Sequence, residues 1–316
     1  MRRRYLCGAF VGVLATAGAL TTSAAARPAG SHAHAKVSVM RPLGFKPAKQ
    51  SKPARPRRTN NLAYQGGIGG IGVETAPKVY LVVWGSQWGT NGSVDPSDEV
   101  GIVQNFLGAA GGSSWLNSVT QYCQGVAAGT VSCGSSGQHA GNQTGMYGGT
   151  WYDSGAAAPS QPTQSQLAAE AVRAAAHFSN TSSAVNNTVQ YVIATASGNN
   201  SSGFGTQYCA WHSSTSSSAG NIAYTNLPYI TDAGASCGAG FNGLGSKAGI
   251  TIVEGHEMAE TITDQFPNGG WLDRNGAENG DKCAWTSGTS NQSLNGASFP
   301  VQPLWSNASS SCVVSY

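Results

Sequence analysis

His256, Glu257 and Glu260 fall within one short run, His256-Glu257-Met258-Ala259-Glu260. If the run is helical, His256 and Glu260 stack on one face a turn apart, with Glu257 beside them. The pattern is that of the HExxH zinc proteases with Glu in place of the second His. Such a site needs three protein ligands, an open position for water, and a carboxylate that takes the water's proton. His256 and Glu260 supply two metal ligands, and Glu257 holds the position of the general base. Glu278 lies eighteen residues after Glu260, in Gly276-Ala277-Glu278-Asn279-Gly280-Asp281. That is the long spacing of a downstream third ligand. Asp264, two helical turns after His256, is the local alternative, and Asp281 and His212 are more distant ones.

An HExxE string arises by chance in about one in forty chains of this length, so the string alone decides little. Its surroundings add weight. Charge is scarce in this chain, yet five of its fourteen acids, Glu254, Glu257, Glu260, Asp264 and Asp273, fall within twenty residues. Glu278 and Asp281 follow just beyond. Such crowding is costly without a cation to offset it. A His among the ligands favours zinc, and calcium is the alternative given so many oxygens. Two carboxylates and one His would neutralise zinc, weaken its Lewis acidity and raise the pKa of its bound water. The outcome is slow catalysis or a structural ion.

Other chemistry is less well supported. His212, near Cys209, is expected on a polar loop, bonded to backbone. His139 and His177 read as ordinary surface or helix residues. No Gly-x-Ser-x-Gly is present. Gly66-Gly67-Ile68-Gly69-Gly70-Ile71-Gly72 lacks the preceding strand and following helix of a phosphate loop. The eight tryptophans are expected mostly in the core; exposed ones could stack on sugar rings.

The elements that must position these residues follow from the hydrophobic pattern. Val79–Trp84 is a near-continuous apolar run and reads as a buried strand. Ile102, Val103, Phe106 and Leu107 have helical spacing from Asp98 onward, and Trp115, Leu116, Val119 and Tyr122 continue in a short helix. A strand or hairpin is expected near Gly145–Trp151. Thr163 and Gln166 form a capping box before an alanine-rich helix reaching Phe178. Val189–Thr195 and Ile222–Thr225 read as strands, with a polar loop between them. Ser246 is the expected cap of the helix carrying His256. The alternation suggests α/β or α+β packing: a central mixed sheet covered by helices, loop-rich and disulfide-stabilised, in one domain.

The chain ends set the compartment. Residues 1–26 resemble a signal peptide, with Arg2, Arg3 and Arg4, an apolar stretch from Leu6 to Leu20 and Ala24-Ala25-Ala26. No segment is long enough to span a membrane. Residues 27–60 carry nine basic residues, no acid and no hydrophobic period. They read as a basic disordered arm or propeptide, with Pro56-Arg57-Arg58 as a processing site. An uncleaved tail that binds anionic cell wall is the other reading. Residues 61–316 form the globular domain. They hold five basic residues against fourteen acids, a formal charge of −9, which argues against nucleic acid as a partner. Cys123, Cys133, Cys209, Cys237, Cys283 and Cys312 make an even set in an oxidising compartment. Of fifteen pairings, the sequential one closes short local loops and is expected.

Three stretches together resemble the phosphate-induced protein / EXORDIUM-like family of secreted proteins. They are Pro77–Gly85 with Trp115–Tyr122, Val189–Thr195 leading to Cys209–His212, and the run from the 256 helix through Asn268–Trp271 to Glu278 and Cys283. Plant members of that family are associated with cell-wall and growth roles and have no established enzymatic activity. They lack the residues that stand here at 256, 257 and 260, whereas microbial relatives carry the acidic helix. The resemblance implies the fold and secretion and transfers no catalytic residue. The leading expectation is a secreted zinc-dependent hydrolase acting on a peptide or protein, with zinc on His256, Glu260 and Glu278 and water activated by Glu257. The alternative is a non-catalytic extracellular or wall-associated protein, with a structural metal or none.

Overall fold

The computed structural model describes residues 36–45 and 60–316. The signal-like segment, most of the basic arm and Pro56-Arg57-Arg58 lie outside them. Six strands build the central sheet: β1 (Val37–Met40), β2 (Lys78–Trp84), β3 (Tyr147–Asp153), β4 (Val189–Thr195), β5 (Ala210–Ser217) and β6 (Gly220–Leu227). Their order is β1-β5-β6-β4-β2-β3. β2, β3, β4 and β6 run parallel, while β5 is antiparallel to β6 and β1 to β5. β2 and β4 are the two apolar runs of the sequence, and every residue of β4 is buried. That is the signature of a parallel strand covered on both faces.

Helices supply the two covers. α1 (Glu99–Ala110) and α3 (Ala248–Thr263) lie on one face, where Phe106, Ile252, Val253 and Met258 pack with Leu81, Val83 and Val192. α2 (Gln164–His177) covers the other, where Leu167, Ala171 and Ala175 meet Val82, Tyr191 and Ile193. The capping box of α2 is formed as expected: Thr163 accepts from the Gln166 amide and the Gln166 side chain returns to the Thr163 amide. All sixteen residues of α3 are buried. A helix buried all round is a core element, and here that core carries charge. Gly249 lets α3 begin against the 230–237 turn, since a Cβ there would lie 1.9 Å from the Cys237 carbonyl oxygen.

Four local expectations change. The helix begins at Ala248, with Lys247 rather than Ser246 at its N-cap and no side-chain cap. Leu116–Gln121 is a 3-10 helix. The polar loop expected to lead to Cys209 and His212 gives way to β5 at Ala210, with His212 inside the sheet. Its run Ser213-Ser214-Thr215-Ser216-Ser217 lacks apolar alternation, so it hides a strand held by pairing with β6. Finally, the segment read as unable to order itself contributes β1. Val37–Met40 adds to the free edge of β5, and Met40 is fully buried.

Three disulfides join Cys123 to Cys133, Cys209 to Cys237 and Cys283 to Cys312, the sequential pairing. The second ties the start of β5 to the turn preceding α3, and so fixes His212 relative to His256. No described helix is long and apolar enough to cross a membrane. The disulfides are compatible with an extracellular protein.

Candidate metal centre

Strand alternation directs His212 toward α3, while its neighbour Trp211 faces α2. The imidazole meets the acidic helix and the 278–281 loop. His212 Nδ1 lies 3.1 Å from Glu257 Oε2 and 3.8 Å from Glu260 Oε2, and Nε2 lies 3.5 Å from Glu278 Oε1. One turn back, His256 Nε2 is 3.0 Å from Glu260 Oε1 and 3.8 Å from Asp281 Oδ1. Two groups of side chains could hold a metal ion: His212 with Glu260 and Glu278, and His256 with Glu257 and Glu260. Within each, the ligand atoms lie within 4.8 Å of one another. Glu260 belongs to both. Glu278 is thus brought to Glu260 through His212, a residue expected on a loop.

The loop is held close by its backbone. Asp281 donates its amide to Glu260 Oε1 at 2.8 Å, and Asn279 Nδ2 reaches the Ala259 carbonyl at 3.2 Å. Gly280 is required, because a Cβ there would come within 2.8 Å of His256 Nδ1 and 2.9 Å of Glu260 Oε1. Gln302 completes the support. Its Nε2 donates to the Gly280 carbonyl at 2.8 Å, and its Oε1 lies 3.3 Å from His256 Nδ1. An acceptor at Nδ1 leaves Nε2 of the neutral ring free for other use. Glu257 serves His212 in the same way. A carboxylate on the far nitrogen fixes the tautomer of a metal-binding His. No local sequence signal marks Gln302; it arrives on a distant hairpin.

The electrostatics are unusual. Glu254, Glu257, Glu260 and Glu278 are buried, and among the described residues no Lys or Arg pairs with any of them. Burial pushes the Glu278 carboxyl up to about 7, helped by Glu260 and opposed by His212. Asp281 is raised by burial to about 6, with His256 opposing. Glu260 is raised by burial and by Asp281. Burial disfavours charge on His256, yet Glu260, Glu257 and Asp281 outweigh it and hold the ring up to about 10. His212 is likewise held well above its ordinary value by Glu278 and Glu257 against its burial.

A test of fit for a cation lies in the polar atoms left over. His212 Nε2, His256 Nε2, Glu260 Oε2 and Glu278 Oε1 are buried and make no well-aligned hydrogen bond among the described residues, although His256 Nε2 lies 3.0 Å from Glu260 Oε1 and His212 Nε2 3.5 Å from Glu278 Oε1. Buried polar atoms without partners cost about 1–3 kcal/mol each. Four of them near Glu260 form a set of imidazole nitrogens and carboxylate oxygens, donors that could hold a metal ion. Three of these side chains, those of His212, Glu260 and Glu278, make up one of the two groups.

Asp264 takes a different part. Its carboxylate accepts the amides of Asn268 at 2.7 Å and Gly269 at 2.9 Å, and that of Gly270, closing the turn after α3. Asp273 likewise organises a turn with Asn275 and Ala277 and pairs with Lys282. His139 bonds the Thr120 carbonyl, and His177 stacks on Trp151. Trp88, Trp115 and Trp271 are fully buried. Comparison with protein-family models, with curated proteins and with solved structures gives no match.

Proposed function

We propose that the protein is a secreted zinc-dependent hydrolase of the peptidase class. The ion would be held by His212, Glu260 and Glu278, with His256 on the second oxygen of Glu260. The observation that carries this reading is the cluster of buried, unpartnered His and Glu atoms from β5, α3 and the 278–281 loop. Three ligands leave a coordination position open, and His nitrogen favours zinc over calcium. Zinc bound there would polarise a substrate carbonyl and acidify a water. Glu257 would do the proton work: it takes a proton from water and returns it to the departing amine nitrogen. Its Oε2 meanwhile keeps His212 Nδ1 protonated and Nε2 free. Two carboxylate ligands make this a weaker Lewis acid than a His-rich site, so turnover is slow.

The burial of every proposed ligand also favours a second reading. In it, the ion is structural and the protein is a non-catalytic, EXORDIUM-like extracellular component. Metal analysis of the purified chain, with hydrolysis assayed on a mixture of peptides, separates the two. The first reading expects one zinc per chain and a Glu257→Gln variant that keeps the zinc but loses at least about a hundredfold in rate, the usual worth of a general base. A chain without stoichiometric zinc sinks it. Hydrolysis that survives Glu257→Gln removes Glu257 from the role.

A further inference from the structure

The edge strand β1 sits on the candidate site as well as on the sheet. It pairs antiparallel with β5 in a register that sets Ser38 opposite His212 and Met40 opposite Ala210. Alternation sends Ser38 and Met40 toward α3, and Val37 and Val39 to the opposite face, where they line a groove with Tyr208 and Trp211. The Ser38 hydroxyl donates to Glu278 Oε2. The Met40 amide points to Glu257 Oε1 at 3.3 Å. Three consecutive residues of an extended chain therefore run from a proposed metal ligand to the proposed base.

We propose that the edge of β5 is the binding position for an extended substrate peptide, and that β1 occupies it in the substrate's place. This inference rests on the reading of the site as a peptide-hydrolysing centre. Addition of an extended peptide to a free strand edge is a general recognition mode, in which main-chain hydrogen bonds give affinity and alternate side chains give selectivity. β1 fits that description in full. It is short, antiparallel, and has one face on the site and the other on a groove. It also comes from the part of the sequence that differs most in composition from the domain, a basic segment against an acidic core.

The contacts of β1 account for a closed site. Glu257 Oε2 is committed to His212, and the Met40 amide takes Oε1, the atom that must accept a proton from water. The Ser38 hydroxyl engages the carboxylate of Glu278. With β1 in place both the base and one ligand are tied, and the side chains of His212, Glu257 and Glu260 are fully buried. Departure of β1 frees Glu257 Oε1 and Glu278 together and exposes the edge of β5. A substrate peptide entering the same register would lay its backbone across both groups. Further anchors hold β1 until it is released: the Leu43 amide donates to the Ser236 carbonyl at 2.8 Å, and Trp285 Nε1 to the Arg41 carbonyl at 2.7 Å.

The test uses the full chain with a site-specific protease sequence inserted between residues 46 and 59. Zinc-loaded protein is assayed uncut and after nicking, once mass spectrometry shows that the arm has left. Nicking is expected to raise peptide hydrolysis at least about tenfold, the worth of freeing one hydrogen-bonded charged group. A synthetic peptide of residues 35–45 should restore latency. A fluorescent version should bind the nicked chain, be displaced by peptide substrates, and bind about tenfold more weakly when it carries Ser38→Ala. Measurable hydrolysis at equal rates before and after arm loss, or a labelled peptide that does not bind or is not displaced, overturns the proposal. A nicked chain that holds zinc and hydrolyses nothing, yet binds the labelled peptide in competition with other extended peptides, fails the hydrolase reading and supports the assignment of the β5 edge.

Discussion

Replacing His212 by Ala is the sharpest perturbation of the candidate centre, because it separates the two groups that share Glu260. If zinc is held by His212, Glu260 and Glu278, the variant deletes one ligand of three. Structural zinc in four-ligand peptides binds with about 10–16 kcal/mol, or about 2.5–4 kcal/mol per ligand. A loss of 3 kcal/mol weakens binding by about a hundredfold. The neighbouring charges push the same way. His212 faces Glu257 at 3.1 Å, Glu278 at 3.5 Å and Glu260 at 3.8 Å. Without it Glu278, already raised to about 7 with His212 opposing, holds its proton more tightly. Protons then compete better with the metal, so the loss is greater at pH 6 than at pH 8. His256→Ala removes a side chain whose contact with the proposed ligands is the second oxygen of Glu260, and an outer partner of that kind is worth about 10-fold or somewhat more. Zinc affinity measured by competition with a chelating dye, with circular dichroism to confirm the fold, should therefore rank His212→Ala well below His256→Ala. Refutation is the reverse order: His212→Ala within threefold of the parent and His256→Ala about a hundredfold weaker. The ion would then belong to His256, Glu257 and Glu260 on the helix alone, and the argument from the unpartnered His212 Nε2 would fail.

Two other outcomes follow from the same geometry. Zinc affinity should rise as pH increases through about 7 and above, because zinc binds only deprotonated ligands, Glu278 is raised to about 7 and His212 is held well above its ordinary value; each proton displaced contributes up to tenfold per pH unit, and an affinity flat across that range contradicts the reading. Asp264→Asn should leave zinc binding unchanged but cost about 2 kcal/mol, from the weakened turn that caps Asn268, Gly269 and Gly270. A melting temperature lower by about 4–8 °C is the expected readout, and a loss of zinc instead would return Asp264 to the ligand set.

How much of this was legible in the sequence depends on which interaction fixes each element. β2 and β4 are covered on both faces, so their apolar runs announce them. α2 carries its start signal in Thr163 and Gln166. The disulfides follow the local pairing. β5 is different. It is polar for most of its length, and pairing with β6 and β1 makes it a strand, which no window of residues can show. With β5 hidden, His212 reads as a loop residue, and the spacing groups Glu278 with His256 and Glu260 without showing that His212 Nε2 lies 3.5 Å from Glu278 Oε1. β1 was hidden by composition: four residues that can order themselves only against an existing edge sit inside a basic, proline-containing segment. A rule about whole segments did not apply to four residues that borrow their order from a neighbour.

The acidic cluster itself was visible from the start, and the structure turns its meaning from crowding into burial. On a solvated helix face, Glu254, Glu257 and Glu260 would repel one another weakly and need no cation. Inside α3 their solvation is lost, and the two neighbouring imidazoles are the only cationic groups that face them among the described residues. Protonation can relieve part of the cost, as the raised Glu260 and Glu278 carboxyls show. It leaves His256 Nε2 at 3.0 Å from Glu260 Oε1 and His212 Nε2 at 3.5 Å from Glu278 Oε1, contacts from three separate elements that form no well-aligned hydrogen bond. A purely structural core would satisfy those atoms with one another or replace them with apolar side chains at little cost in stability. A divalent cation on His212, Glu260 and Glu278 would engage three of those four side chains and leave His256 on the second oxygen of Glu260. That is why ligand geometry, more than the HExxE string, carries the functional proposal.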